Sequence, residues 1–90
     1  LFRGMNNDKL KEAFNDIIRL CLDIPSVTLQ DATLSISDQI GAIQDEDEAA
    51  GLLAELLLHV NDLEPEEMEE FQDILEEINE LADELTDEFL

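Results

Sequence analysis

Hydrophobic residues recur at helical spacing in four segments of the chain. They predict helices at residues 8–22, 28–43, 46–60 and 65–88, and hence a small all-α four-helix domain. In the first segment the apolar positions are Leu10, Phe14, Ile17, Ile18 and Cys21. Asn7 or Asp8 can cap this helix, and Pro25 ends it because proline disfavours helical backbone at the residue before it.

The second segment has an apolar face at Leu29, Ala32, Ile36, Ile40 and Ile43. Thr28 and Asp31 have the spacing of a capping box, which places the helix start at Thr28. β-Branched residues are frequent here, so a strand at 27–29 is an alternative.

The third segment opens with four acids at 45–48, which suit the positive end of a helix dipole. The stretch that follows, AAGLLAELLLHV, is apolar on almost every side. Helices of this kind are buried, so we expect the third helix at the centre of the assembly.

The fourth segment carries an unbroken heptad repeat, and Pro65 suits the first position of its helix. We expect this helix to be the longest, to overhang the bundle, and to leave its seam for a second copy of the chain. The predicted homodimer uses the third and fourth helices, and its seam consists of Met68, Phe71, Leu75, Ile78, Ala82, Leu85 and Phe89.

Composition adds a strong charge asymmetry. The chain has 90 residues and a formal net charge of −21, and all four basic residues lie in the first nineteen positions. Such a surface repels nucleic acid and anionic membranes and attracts basic proteins, so neither nucleic acid nor membrane is an expected direct partner.

The single cysteine is typical of a reducing compartment, and no apolar run is long enough for a signal peptide or a membrane span. These features predict a cytoplasmic protein. Met5 resembles a natural start, which predicts that residues 1–4 are an added remnant and that residues 5–90 form one acidic helical domain.

Candidate chemistry is sparse. Glu55 and His59 share a helix face and are interpreted as a surface or interface pair rather than an acid/base dyad, since further ligands or a nucleophile are missing. Cys21 lies on an apolar face and is interpreted as a structural thiol. The run DEDEAAG fails the calcium-loop pattern, and the three glycines are isolated. We therefore predict no catalytic, metal or cofactor site, and a protein that is not an enzyme.

The fourth helix is the main functional candidate because every b, c and f position of its heptads is acidic. Solvation alone is one interpretation of this face. Against it, mixed charges would stabilise the helix better, since each like-charged i,i+4 pair costs a few tenths of a kcal/mol. The alternative is that the carboxylates imitate phosphates. Twelve acids over roughly 39 Å of helix are spaced about 3.3 Å apart, and the phosphates of one DNA strand are about 3.4 Å apart.

This composition resembles that of DNA-mimic inhibitors, a class defined by behaviour and not by ancestry. The resemblance implies an inhibitor, for example a phage or mobile-element anti-restriction protein, that occupies the nucleic-acid site of a restriction, repair, repressor or nuclease-type protein. The alternatives are an immunity protein or antitoxin for a nuclease toxin, and an acidic assembly factor or chaperone for a basic protein. The predicted partner-binding residues are Glu66, Glu69, Glu70, Asp73, Glu76, Glu77, Glu80, Asp83, Glu84 and Asp87.

Overall fold

The computed structural model describes the backbone of residues 2–89 and the side chains of residues 8–88. Within this part the chain is all-helical and contains no strand, which confirms the fold class and removes the strand alternative at 27–29. The five helices are α1 (Phe2–Leu22), α2 (Val27–Ile40), α3 (Glu46–Asn61), α4 (Pro65–Glu70) and α5 (Gln72–Phe89).

Short polar side chains define two of the helix starts. Ser26 is the N-cap of α2, and its hydroxyl accepts a hydrogen bond from the Leu29 amide at 3.4 Å. The predicted start at Thr28 is therefore wrong by one residue, because the serine two positions earlier satisfies the free amide. Asp45 caps α3 by accepting from the Glu48 backbone amide at 2.9 Å. The three acids that follow it lie in the first turn, as the sequence predicted.

α1 is the central helix of the bundle. It packs most extensively against α5 and α2, and α3 packs mainly against α2 and only lightly against α5. α3 is therefore an outer helix within one chain, and its central position in an assembly of two chains stays a prediction. Leu56 is fully buried, Leu57 is half-buried and Leu58 is 69% exposed, so only one face of α3 contributes to the core.

The core lies between the inner faces of α1, α2, α3 and α5. All five residues that the sequence placed on the core face of α1 are buried. In α2 the prediction fails at one position: Ala32 is half-buried, while Thr33 is fully buried. A threonine fits there because its hydroxyl donates to the Leu29 carbonyl at 2.6 Å, which satisfies its polar atom.

The predicted fourth helix is two helices. The break is at Phe71, whose φ and ψ of −107° and 27° depart from helical values. No proline or glycine marks this position in the sequence. The prediction that this helix is the longest is also wrong, because α1 has 21 residues and α5 has 18.

The heptad seam is largely covered inside a single chain. Ile78, Ala82 and Leu85 are buried, and α5 packs mainly on α1. Met68, Phe71 and Leu75 are half-buried against the same core. The side chain of Phe89 lies outside the described residues. The prediction that the seam is uncovered in a single chain is therefore wrong for Ile78, Ala82 and Leu85. These residues pack against α1 of the same chain, where a second copy was expected.

A search of the described residues for a helix with the length and hydropathy needed to cross a bilayer finds none.

Candidate protein-binding surface on the C-terminal helices

The outward side of α4 and α5 carries the ten carboxylates that the sequence singled out, and we call these ten residues the acidic surface. Three of them, Glu66, Glu69 and Glu70, lie on α4, and the other seven lie on α5. Each of the ten side chains is exposed. The structure therefore places all the predicted partner-binding residues at the solvent boundary of two consecutive helices.

Helical periodicity explains this placement. Residues at a and d pack inward, as Ile78 does, so the b, c and f positions of the same heptads must point outward. Glu77 and Glu80 illustrate the rule, since both are exposed although they flank a fully buried residue. The apolar stripe of α5 is buried against α1, and this packing turns the carboxylates of α5 toward solvent.

Two further acids of this region lie outside the predicted set. Glu67 is half-buried and accepts a hydrogen bond from the Glu64 amide at 3.4 Å, so it helps to begin α4. Glu88 is exposed and extends the acidic surface at its C-terminal end. The heptad pattern missed Glu88 because this residue falls at g, where Ile74 and Leu81 are apolar.

The charge density on α5 is close to that of a nucleic-acid strand. Eight carboxylates lie along a helix that spans about 27 Å, or about one per 3.4 Å. One strand of DNA has the same average spacing, about 3.4 Å per phosphate. No lysine or arginine follows Arg19 in the sequence, so the C-terminal half of the chain supplies no counter-charge.

Uncharged polar residues border the acidic surface along one flank of α5. Gln72, Asn79 and Thr86 occupy successive e positions, and all three are exposed. The Thr86 hydroxyl donates to the Ala82 carbonyl at 2.9 Å, and the Gln72 amide donates to Glu76 at 3.4 Å. The carboxylates are therefore confined to one side of the helix.

The other candidate chemistry remains isolated. His59 is half-buried and Glu55 is exposed. The residues of known placement contain no group of three or more histidine, cysteine or acidic side chains that could hold a metal ion. Cys21 is fully buried, and burial raises the pKa of its thiol to about 12, which disfavours the reactive thiolate.

Comparison of the chain with protein-family models, with curated proteins and with solved structures finds no significant match. Arguments about function therefore rest on the geometry and charge of the chain itself.

Proposed function

We propose that the acidic surface binds the basic nucleic-acid-binding surface of a target protein and thereby competes with DNA or RNA. The protein acts by binding and not by catalysis, as an inhibitor of the DNA-mimic type. The proposal includes a cytoplasmic location, where a free thiol such as Cys21 is ordinary.

One observation carries this proposal: ten exposed carboxylates on consecutive helices, with phosphate-like average spacing and no basic residue among them. A surface of this kind attracts lysine and arginine clusters, which are the groups that nucleic-acid-binding proteins use to hold phosphates. A basic residue on the same face would weaken that attraction, so the absence of lysine and arginine supports a role beyond solvation.

The first experiment identifies the target and tests competition. The immobilised protein captures partners from a host lysate at low salt, and bound proteins are eluted with increasing salt. We expect a basic nucleic-acid-binding protein that elutes early, because exposed charge contacts are screened by salt. The purified partner is then titrated with its preferred nucleic acid, and we expect displacement of the acidic protein.

Charge reversal assigns the binding to the acidic surface. The triple variant Glu76→Lys, Glu77→Lys and Glu80→Lys should lose binding while keeping its helix content, because these side chains are exposed. The matched control changes the same net charge elsewhere, through Asp23→Lys, Asp31→Lys and Asp38→Lys, which are also exposed. Equal loss in both variants would show that only overall charge matters and would contradict a localised site.

The competition experiment also separates the alternative functions. A partner that holds this protein and its nucleic acid at the same time, each at full strength, would refute mimicry and favour an assembly factor. A partner that is a toxic nuclease would identify an immunity protein or antitoxin acting through the same surface.

We also propose the homodimer as part of this function. Since the central seam residues are buried within one chain, its support comes from apolar side chains that one chain leaves partly or fully exposed. Met68, Phe71 and Leu75 are half-buried, and Leu58 is exposed. Light scattering at low micromolar concentration should give about twice the chain mass of 10.2 kDa. A mass equal to that of one chain would refute the dimer without affecting the acidic surface.

A further inference from the structure

A groove beside α3 combines an apolar floor with an acidic rim. It has a volume of about 560 Å³ and is open to solvent on one side. Ile43 and Leu52, which are only 7% and 8% exposed, contribute apolar atoms. The exposed residues Gln39, Ala42, Glu48, Gly51 and Glu55 form the rest of the lining. None of these residues belongs to α4 or α5, so the groove is separate from the acidic surface.

The polar atoms of the groove are hydrogen-bond acceptors. The Gln39 amide nitrogen donates to the carbonyl and to the hydroxyl of Ser35, at 3.4 and 3.3 Å, which leaves the amide oxygen to accept from another group. One carboxylate oxygen of Glu48 accepts a hydrogen bond from the backbone N–H of Gln44 at 3.1 Å. The second oxygen of Glu48 can accept from another group. Glu55 supplies a second carboxylate on the same side of α3.

Gly51 leaves the wall of this groove without a side chain. It lies in the middle of α3, where glycine is among the least favourable residues for a helix. A Cβ atom at this position would meet no other atom within 4 Å, so packing within the chain does not require glycine. The missing side chain at Gly51 therefore leaves the groove open beside the helix backbone.

We propose that this groove binds an arginine side chain of a partner protein. The aliphatic stem would lie on Ile43 and Leu52, and the guanidinium would donate to Gln39 and to one of the two carboxylates, because Glu48 and Glu55 are about 10 Å apart along the helix. Arginine fits best because its head is planar, weakly hydrated and rich in donors, whereas a lysine ammonium is compact and strongly hydrated. A second copy of this chain is a poor source, because the sequence offers only two arginines, Arg3 and Arg19.

The groove can be tested without knowing the partner and independently of competition at the acidic surface. The probe is Nα-acetyl-arginine amide, titrated at about 0.15 M NaCl while backbone amide shifts are followed by NMR. We expect saturable shifts at Ile43, Gly51 and Leu52 and smaller, non-saturating shifts along α5. Two compounds serve as controls: guanidinium chloride lacks the aliphatic stem, and Nα-acetyl-norleucine amide lacks the charge. Each should bind at least about three-fold more weakly than Nα-acetyl-arginine amide.

Two variants connect the binding to the groove itself. Gly51→Leu fills open space with a better helix former, so it should keep or raise the melting temperature while it weakens binding of the probe by about ten-fold. Ala54→Leu is the matched control, since Ala54 is exposed on the same helix and does not line the groove. Glu48→Gln with Glu55→Gln keeps one acceptor oxygen in each side chain and removes the charge, and it should weaken binding of the probe by about five-fold.

Several results would overturn the proposal. Shifts of equal size along α5 and in the groove would show counter-ion binding only. Equal affinity for guanidinium chloride, unchanged affinity in Gly51→Leu, or the absence of saturable shifts in the groove would each refute an arginine site. None of these results bears on competition at the acidic surface, so the two proposals can fail separately.

Discussion

The Thr33 hydroxyl donates a hydrogen bond to the Leu29 carbonyl at 2.6 Å, one turn earlier in α2, and both side chains are buried. This bond lets a polar side chain occupy a core position without an unsatisfied group. It also makes a precise substitution possible, because valine has almost the same shape as threonine without the hydroxyl.

We expect Thr33→Val to leave the free energy of unfolding unchanged or slightly higher. The hydroxyl's own bond disappears together with the hydroxyl, so no donor is left unpaired, and threonine back-bonding slightly destabilises helices. Thr33→Ala is the control and should cost about 1–2 kcal/mol, because it removes a methyl group from a packed site. Urea unfolding measures both, and a large loss in the valine variant would show that the hydroxyl is important for the core.

Two leucines in α3 test the outer position of this helix. Leu56 is fully buried and Leu58 is 69% exposed, although both lie in the same apolar run. At concentrations where the protein is a single chain, we expect Leu56→Ala to cost about 2–5 kcal/mol and Leu58→Ala to stay within about 0.5 kcal/mol of the parent protein. Thermal unfolding followed by circular dichroism measures the difference. Similar losses in both variants would indicate that α3 is buried on two sides.

Cys21 predicts a decrease in stability at high pH. Burial raises the pKa of its thiol from 9.0 to about 12 in the folded protein, so the folded state retains a proton that the unfolded state releases above pH 9.0. This contribution to stability is fully present below pH 9.0 and is lost as pH rises toward 12. The slope is at most about 1.4 kcal/mol per pH unit for one group.

The variant Cys21→Ala isolates this effect. It has a cavity penalty that is independent of pH, so its unfolding free energy should fall less steeply between pH 9 and 11 than that of the parent protein. Parallel pH curves for the two proteins would show that Cys21 does not titrate differently in the folded and unfolded states.

The concentrated negative charge predicts that salt stabilises the folded protein. Exposed carboxylates repel one another across the acidic surface, and raising ionic strength from about 0.01 M to 0.3 M shortens the Debye length several-fold. We expect the melting temperature to rise over this range. The variant Glu76→Gln with Glu77→Gln and Glu80→Gln removes three charges and should show a smaller rise. A melting temperature that falls with added salt would contradict unbalanced repulsion.

The sequence by itself determined the helical class and the faces that α1 and α5 turn inward. These properties depend on the 3.6-residue period, which is a local property of the sequence. Phe14 and Ile17 could therefore be assigned to the core without knowledge of the helices that pack against them. The exposure of the acidic surface followed from the same period, because the positions opposite a buried heptad seam must face water. Even Glu77, next to the buried Ile78, could be placed correctly.

Tertiary structure alone decided which helices lie opposite one another. An apolar run such as the one around Leu58 suggests burial on all sides, but burial requires a neighbour, and only one face of α3 has one. The apolar heptad face of α5 likewise required a packing partner. The heptad pattern could not distinguish α1 of the same chain from a second copy. The burial of Thr33 and the groove beside Gly51 arise from contacts between elements distant in sequence, and local periodicity contains no information about such contacts.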